Sequence, residues 1–119
     1  MNKISLRDAF DRIGEYWSPR VVADVNDVQV KLVRVKGEFV WHRHEAQDEL
    51  FIVVRGRLRI EFRDGDVVLD AGDMLVVPRG VEHRPVADEE VQLMLVEPRG
   101  TVNTGEVREG RTVLEPERL

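Results

Sequence analysis

The chain begins with a pattern typical of one short amphipathic helix. Leu6, Phe10 and Ile13 fall at positions i, i+4 and i+7, which places their side chains on one helical face. Ser5 precedes this stripe as a candidate cap, and Gly14 follows it as a natural end. The pattern therefore predicts a helix that buries a single stripe and ends at Gly14.

From position 21 onward the apolar positions indicate short strands. Polar and apolar residues alternate over Arg57–Phe62, so Leu58, Ile60 and Phe62 share one face of a predicted strand. Asp64-Gly65 is a strong signal for a two-residue hairpin turn directly after it. The same reading predicts further strands at 28–35, 39–44, 50–54, 67–69, 74–77 and 91–96.

Composition supports a sheet protein of one domain. The 119 residues include 21 Val and only five Ala, and Val is stiff at its first side-chain torsion, which favours strands. This length corresponds to a single ordinary domain. We therefore predict an all-β domain over 1–119, with a helical arm at 1–20, a barrel at 21–98 and an irregular tail at 99–119.

Charge and cysteine content exclude several classes of protein. The absence of Cys excludes a disulfide scaffold, a Cys-ligated zinc or iron–sulfur site and a thiol nucleophile. A net charge of −5 argues against a nucleic-acid partner, because phosphates require a cationic face. No apolar run is long enough for a membrane span or a signal peptide, so no membrane partner and a cytoplasmic location are predicted.

The three histidines are the candidate metal ligands. His42 and His44 are two residues apart in a predicted strand, so they share a face at a spacing of roughly 7 Å. Glu49 begins the next strand, and His83 follows a turn. Three imidazoles and one carboxylate suit Fe, Mn, Ni, Co, Cu or Zn and leave coordination positions open for catalysis. Taken alone, a His-x-His pair or a single histidine such as His83 is more often unliganded than a metal ligand.

The spacing of these residues resembles the first motif of the cupin superfamily. That motif has Gly, five residues, His-x-His, three or four residues, Glu, six residues and Gly. The chain has His42 and His44, then four residues before Glu49 and six more before Gly56. Gly37 lies one residue closer to His42 than the motif requires.

A second stretch resembles the second cupin motif, which has Gly, five residues, Pro-x-Gly, two residues, His, three residues and Asn. The chain has Gly72, then five residues before Pro78, with Gly80 and His83 in register. Ala87 stands where the motif has Asn. Both motifs in order, with a short gap between them, are typical of a small single-domain cupin of the cupin-2 type.

The resemblance implies an antiparallel jelly-roll β-barrel of six to eight strands. It also implies a divalent transition metal inside the barrel, held by His42, His44, Glu49 and His83, with Glu49 as a possible catalytic base. The replacement by Ala87 removes no ligand. The resemblance further implies a homodimer, as does the aromatic segment Tyr16-Trp17 beside the helix.

Strand alternation predicts the residues around this metal. Trp41 and Phe39 are expected on the outer face of their strand, where they could form a dimer interface or equally pack under the N-terminal helix or the tail. Arg43 and Arg84 are expected to point away from the metal. The side chains expected to line the pocket are Val40, Phe51, Val53, Leu58, Ile60 and Phe62. Such an apolar pocket suits a small aromatic or apolar-bodied substrate better than a phosphate, which needs cations.

Three functions are compatible with these features. The leading hypothesis is a dioxygenase-type enzyme acting on a small apolar-bodied or aromatic substrate at a three-histidine, one-glutamate metal centre. One alternative is a non-catalytic module that binds a small molecule or a metal. The other is a metal-dependent isomerase or lyase. The fold implied by the resemblance supports all three, so it does not choose among them.

Overall fold

The computed structural model describes every residue from Met1 to Leu119. One helix and seven strands account for its regular structure. In chain order they are α1 (Leu6–Asp11), β1 (Arg20–Val25), β2 (Val28–Glu38), β3 (Glu49–Arg55), β4 (Arg57–Phe62), β5 (Gly65–Asp70), β6 (Met74–Val77) and β7 (His83–Pro98). No helix here has the length and apolar character needed to cross a bilayer.

Strand β7 organises the barrel, because its 16 residues pair with three other strands. Its second half lies between β2 and β3, and its first half pairs with β4. The strand order is β1-β2-β7-β3-β6, with β5 joined to β4, and all of these pairs are antiparallel. The predicted antiparallel jelly-roll fold is confirmed.

The core fills the interior of this barrel. Along β3 and the second half of β7, buried and half-buried residues alternate, as expected for strands with one face turned inward. The twelve buried side chains that form the main core cluster are Val33, Val35, Phe51, Val53, Leu58, Ile60, Leu69, Val77, Ala87, Val91, Leu93 and Leu95.

Helix α1 covers part of the barrel's outer surface. Ser5 caps it as predicted, since its Oγ accepts a hydrogen bond from the amide of Asp8 at 3.2 Å. Phe10 and Ile13 pack on Leu32 of β2 in a second, smaller apolar cluster. The helix ends at Asp11, earlier than the predicted end at Gly14, although Ile13 remains buried beyond it.

Gly56 forms the tight connection between β3 and β4. Its φ of +93° favours glycine, and a Cβ atom there would lie 2.7 Å from the carbonyl oxygen of Glu90. The close approach of β7 therefore requires the absence of a side chain at the last glycine of the first motif.

The segment 99–119 contains no helix or strand, and it is hydrogen-bonded to the barrel. The Arg111 side chain donates to the carbonyl oxygen of Glu38 at 2.8 Å, and the Leu119 amide donates to that of Val21 at 3.0 Å. Thr101 and Thr104 are buried, and the Asn103 side chain bonds to the backbone of Arg111 and Val113 at 2.9 and 2.8 Å. These contacts make the segment a wall of the domain.

Candidate metal centre

The backbone around the first two histidines is not a strand. The prediction of a strand at 39–44 is wrong, because β2 ends at Glu38 and only His42 forms a bridge there, with His83. Without a regular pleat, alternation no longer decides which side chains face inward. His42 and His44 still share the interior, with ring centroids 5.1 Å apart.

The structure brings the four predicted ligands together. One potential ligand atom from each of His42, His44, Glu49 and His83 lies within 4.8 Å of the others. All four residues are at most 4% exposed. Glu49 Oε1 lies 3.4 Å from His44 Nε2 and 3.5 Å from His83 Nε2. Nitrogen and oxygen atoms that converge at this spacing fit a single transition-metal ion.

Unsatisfied polar atoms support this fit. His44 Nε2, His83 Nε2 and Glu49 Oε1 are buried and have no hydrogen-bond partner. Leaving a buried polar atom unpaired costs about 1–3 kcal/mol, so three of them facing one point require an explanation. A bound cation satisfies all three at once.

Backbone carbonyls orient two of the imidazoles. His42 Nδ1 lies 2.9 Å from the carbonyl oxygen of Val40, and His83 Nδ1 lies 2.9 Å from that of Val81. Each Nδ1–H donates to a carbonyl two residues earlier, which leaves Nε2 unprotonated and available as a ligand. The same arrangement at both positions holds both rings in the tautomer that a metal needs.

Burial and neighbouring charges adjust the ionisation of the ligands. Burial, together with the nearby His83, lowers the pKa of His42 to about 4, so this ring is neutral at pH 7. Burial alone would raise the pKa of Glu49, but the neighbouring Glu97, His44 and His83 hold that pKa well below its usual range. The cluster thus offers a neutral imidazole and a carboxylate, the protonation states that bind metal.

A small cavity of about 40 Å³ adjoins the cluster. Two of the ligands, His42 and Glu49, form part of its wall. Trp17 and Phe39 stack at its edge with ring centroids 4.6 Å apart. The other lining residues are Pro19, Val33, Val35, Phe51, Pro85, Leu93, Leu95 and Asn103.

Of the six residues predicted to line the pocket, one lines the cavity and five lie elsewhere. Phe51 lines the cavity as expected. Val40 is half-buried and supplies the carbonyl that holds His42. Phe62 packs near the His83 ring at 6.4 Å. Three others, namely Val53, Leu58 and Ile60, pack in the core cluster without lining the cavity.

Phe39 is the main correction to the predicted lining. It was expected on the outer face, yet it is 6% exposed and lies against the cavity. The reason is the irregular backbone after β2, which turns it inward. Alternation along β2 and β7 could have identified Val33, Val35 and Leu93, whereas no periodic signal identifies Trp17 in the arm.

The cavity contains no cationic side chain, which agrees with the predicted outward orientation of the nearby arginines. Arg43 pairs with Glu45 at 2.6 Å, and Arg84 pairs with Glu61 at 2.7 Å. A phosphate group would find no partner in this lining.

The chain is similar to cupin domains in both sequence and structure. Residues 30–97 match the family model Cupin_2, described as "Cupin domain". The solved structure of a cupin-2 domain containing protein from Shewanella frigidimarina NCIMB 400 is 54% identical, with a TM-score of 0.80, covering 81% of this chain and 94% of that one.

Two further similarities are more limited. The chain is 47% identical to the uncharacterized protein YdbB of Bacillus subtilis (strain 168) over 64 residues, which are 53% of this chain and only 57% of that protein. The solved structure of hydroquinone 1,2-dioxygenase PnpCD with Cd²⁺ and 4-hydroxybenzonitrile is 20% identical, with a TM-score of 0.71, covering 81% of this chain and 72% of that one. At that identity the similarity concerns the fold alone.

Proposed function

This chain belongs to the cupin domain family, and from that premise we propose that it is a metal-dependent dioxygenase acting on a small, apolar-bodied or aromatic substrate. Its metal ligands are His42, His44, Glu49 and His83. The observation that carries the metal site is the convergence of three buried, unpaired ligand atoms.

Three of the four ligands have a defined task in this proposal. His42 and His83 are fixed by their Nδ1 contacts to backbone carbonyls, which sets the direction of the Nε2 lone pairs. Glu49 supplies the single negative charge of the ligand set and faces the cavity, where it can hold a substrate proton. A redox metal bound here supplies the oxygen-activating chemistry.

The cavity supports the substrate class. Trp17, Phe39 and Phe51 give the cavity an aromatic lining that suits a flat ring, and no Lys or Arg is among the lining residues, which disfavours phosphates. Its small volume suits a compact molecule. The solved dioxygenase of the same fold holds an aromatic ligand, 4-hydroxybenzonitrile, which agrees with this class.

The polar residues of the cavity lining also bear on the isomerase and lyase alternatives. Isomerase and lyase reactions need an acid or base beside the metal. Apart from His42 and Glu49, the only polar lining residue is Asn103, whose amide is already bonded to the backbone. Glu49, itself a metal ligand, is therefore the only base in the lining and no separate acid accompanies it, which favours chemistry carried by the metal itself. A non-catalytic binding module is the second candidate.

We also propose a homodimer formed through the outer face of β6, β3 and β7. Phe39 is buried, so it is not available for the interface that the sequence analysis considered for it. On the other face of the sheet, Met74 and Val76 are 63% and 50% exposed, and they flank the half-buried Leu50 and Ile52 of β3. The cytoplasmic location remains a prediction.

Elemental analysis of protein purified without chelator tests the metal site. We expect near-stoichiometric transition metal in the wild type and its loss in His42→Ala and His83→Ala. Arg43→Ala is the matched control, because Arg43 lies between two ligands but is exposed. A wild-type protein that neither contains metal nor takes it up on reconstitution would overturn the site.

Oxygen uptake with a panel of phenols, hydroquinones and diketones then separates the two candidate functions. Turnover by the metal-loaded wild type, absent in His83→Ala, supports the dioxygenase. Tight binding of panel members without oxygen consumption would contradict the dioxygenase and support the non-catalytic binding module.

A further inference from the structure

A buried ion pair lies beside the metal ligands. Lys31 of β2 and Glu97 of β7 are both about 1% exposed, and Lys31 Nζ lies 2.8 Å from Glu97 Oε1. Lys31 Nζ also donates to the carbonyl oxygen of Thr101 at 3.2 Å. Lys31 is the one buried residue among the 18 lysines and arginines of the chain.

Stability alone does not account for such a pair. Removing two charges from water has a large desolvation penalty, and apolar residues of similar size are often as stable or more stable. Every other ion pair between a carboxylate and a Lys or Arg side chain includes at least one partner that is 25% or more exposed. The location of the Lys31–Glu97 pair therefore calls for a local reason.

Strand register connects the pair to the metal site. β3 and β7 are antiparallel, with Leu50 opposite Val96, so the next inward-facing pair brings Glu49 opposite Glu97. Side chains directly opposite in such a pair have Cβ atoms about 4.5–5.5 Å apart. The metal ligand Glu49 thus has a second buried carboxylate immediately behind it.

The second oxygen of that carboxylate is itself unpaired. Glu97 Oε2 is buried without a hydrogen-bond partner, while Oε1 is held by Lys31. Lys31 therefore holds Glu97 through one oxygen only and leaves the other beside Glu49. It also fixes the Glu97 side chain against movement toward the ligand.

We propose that the buried Lys31–Glu97 pair positions Glu49 for metal binding, by holding a fixed carboxyl group behind the ligand. Lys31 and Glu97 are positioning residues that act through Glu49. This inference rests on the proposed metal site and concerns how tightly and in what geometry that site holds its ion.

The test is Co²⁺ binding to a charge-neutral double variant, Lys31→Met with Glu97→Gln. Removing both charges avoids a lone buried ion, and both replacements are close in volume. We expect the metal-free variant to fold and its Co²⁺ affinity to fall by about 10- to 100-fold, the usual effect of losing an outer-shell partner. The visible d–d spectrum of bound Co²⁺ should change as the Glu49 ligand reorients.

A matched control removes an exposed ion pair. Arg57 and Asp70 are 73% and 57% exposed and lie 2.7 Å apart on β4 and β5. The double variant Arg57→Met with Asp70→Asn should bind Co²⁺ with wild-type affinity and spectrum. A merely structural pair would alter unfolding but leave the affinity and the spectrum of the folded protein unchanged.

Glu97→Asp keeps the charges and retracts the carboxylate by one methylene, which serves if the double variant does not fold. We expect it to weaken Co²⁺ binding and shift the spectrum in the same direction. Wild-type affinity and spectrum in every folded variant of the pair would overturn the positioning role alone. A wild type that binds no Co²⁺ would instead overturn the proposed metal site.

Discussion

His42 and His83, 41 positions apart in the sequence, are joined directly through their backbones. The His42 amide donates to the His83 carbonyl at 3.0 Å, and the His83 amide donates to the His42 carbonyl at 2.9 Å. Their ring centroids lie 4.4 Å apart. The two histidine segments are therefore positioned by mutual hydrogen bonds, so the ligand geometry is part of the barrel itself.

The approach of the C-terminal segment to the histidine loop gives a first prediction. Gly105 has a φ of +61°, and a Cβ there would overlap the carbonyl oxygen of Arg43, between His42 and His44. Gly105→Ala should lower the free energy of unfolding by at least about 1–2 kcal/mol, from the left-handed backbone alone. It should also weaken metal binding, because the displaced backbone carries two ligands.

Gly110→Ala provides the control for this substitution. Gly110 lies in the same segment, but an added Cβ would meet nothing within 4 Å. Denaturant unfolding and metal titration of the two variants should therefore differ clearly. Equal behaviour of Gly105→Ala and Gly110→Ala would contradict a close contact between this segment and the histidine loop.

Acid should destabilise the metal-free protein through His42. Its pKa is about 4 in the folded chain and near 6.5 when unfolded, so the unfolded state binds the proton more readily between these values. The contribution of His42 to stability is complete above pH 6.5 and is lost progressively as pH falls toward 4. At pH 5 the expected loss is about 2 kcal/mol.

Comparison with His42→Gln isolates this effect. Glu97 acts in the opposite direction, because burial and the charge of Glu49 raise its pKa well above the usual value, so its contribution falls as pH rises. Urea unfolding at pH 7 and pH 5 should therefore show a larger loss in the wild type than in His42→Gln. Equal losses in the two proteins would show that His42 is not the group responsible.

The two tryptophans report separately on the cavity. Trp17 lines it, whereas Trp41 lies beneath the guanidinium groups of Arg63 and Arg84, with ring-centroid distances of 3.7 and 5.4 Å. An aromatic ligand in the cavity should quench the fluorescence of the wild type and of Trp41→Phe. It should leave the signal of Trp17→Phe nearly unchanged.

Quenching through Trp41 would contradict binding in the cavity. Quenching that persists in Trp17→Phe and disappears in Trp41→Phe would locate the ligand on the outer surface. The proposed substrate cavity would then be wrong, although the metal site would not be affected. Trp17 is half-buried and stacks on Phe39, so its conversion to Phe retains an aromatic contact and should preserve the fold.

The sequence allows prediction of the ligands better than of their surroundings. His42, His44, Glu49 and His83 are identifiable because the two motifs preserve their spacing, and the structure brings them together. Phe39 was assigned to the wrong face because the chain leaves strand geometry after β2, so alternation fails where the pocket is built.

Two other features depend on contacts that no local pattern reveals. Lys31 has the same alternation as the buried Val33 and Val35, yet a lysine in that position is ordinarily taken as exposed. Its burial becomes possible only through Glu97, 66 residues later. Trp17 adopts a φ of +62° in an irregular arm, where no periodicity predicts the direction of its side chain.

The proposed dimer gives the last prediction. β6 is an edge strand that pairs only with β3, and its exposed Met74 and Val76 continue the apolar rows of Leu50 and Ile52. Exposed apolar patches of this kind commonly mark interfaces. The double variant Met74→Glu with Val76→Glu should convert a dimer into a monomer in sedimentation equilibrium at micromolar concentration.

Val68→Glu, at a residue of β5 that is 51% exposed, should leave the dimer intact. A wild type that sediments as a monomer, or a dimer that survives both glutamates, would contradict this interface.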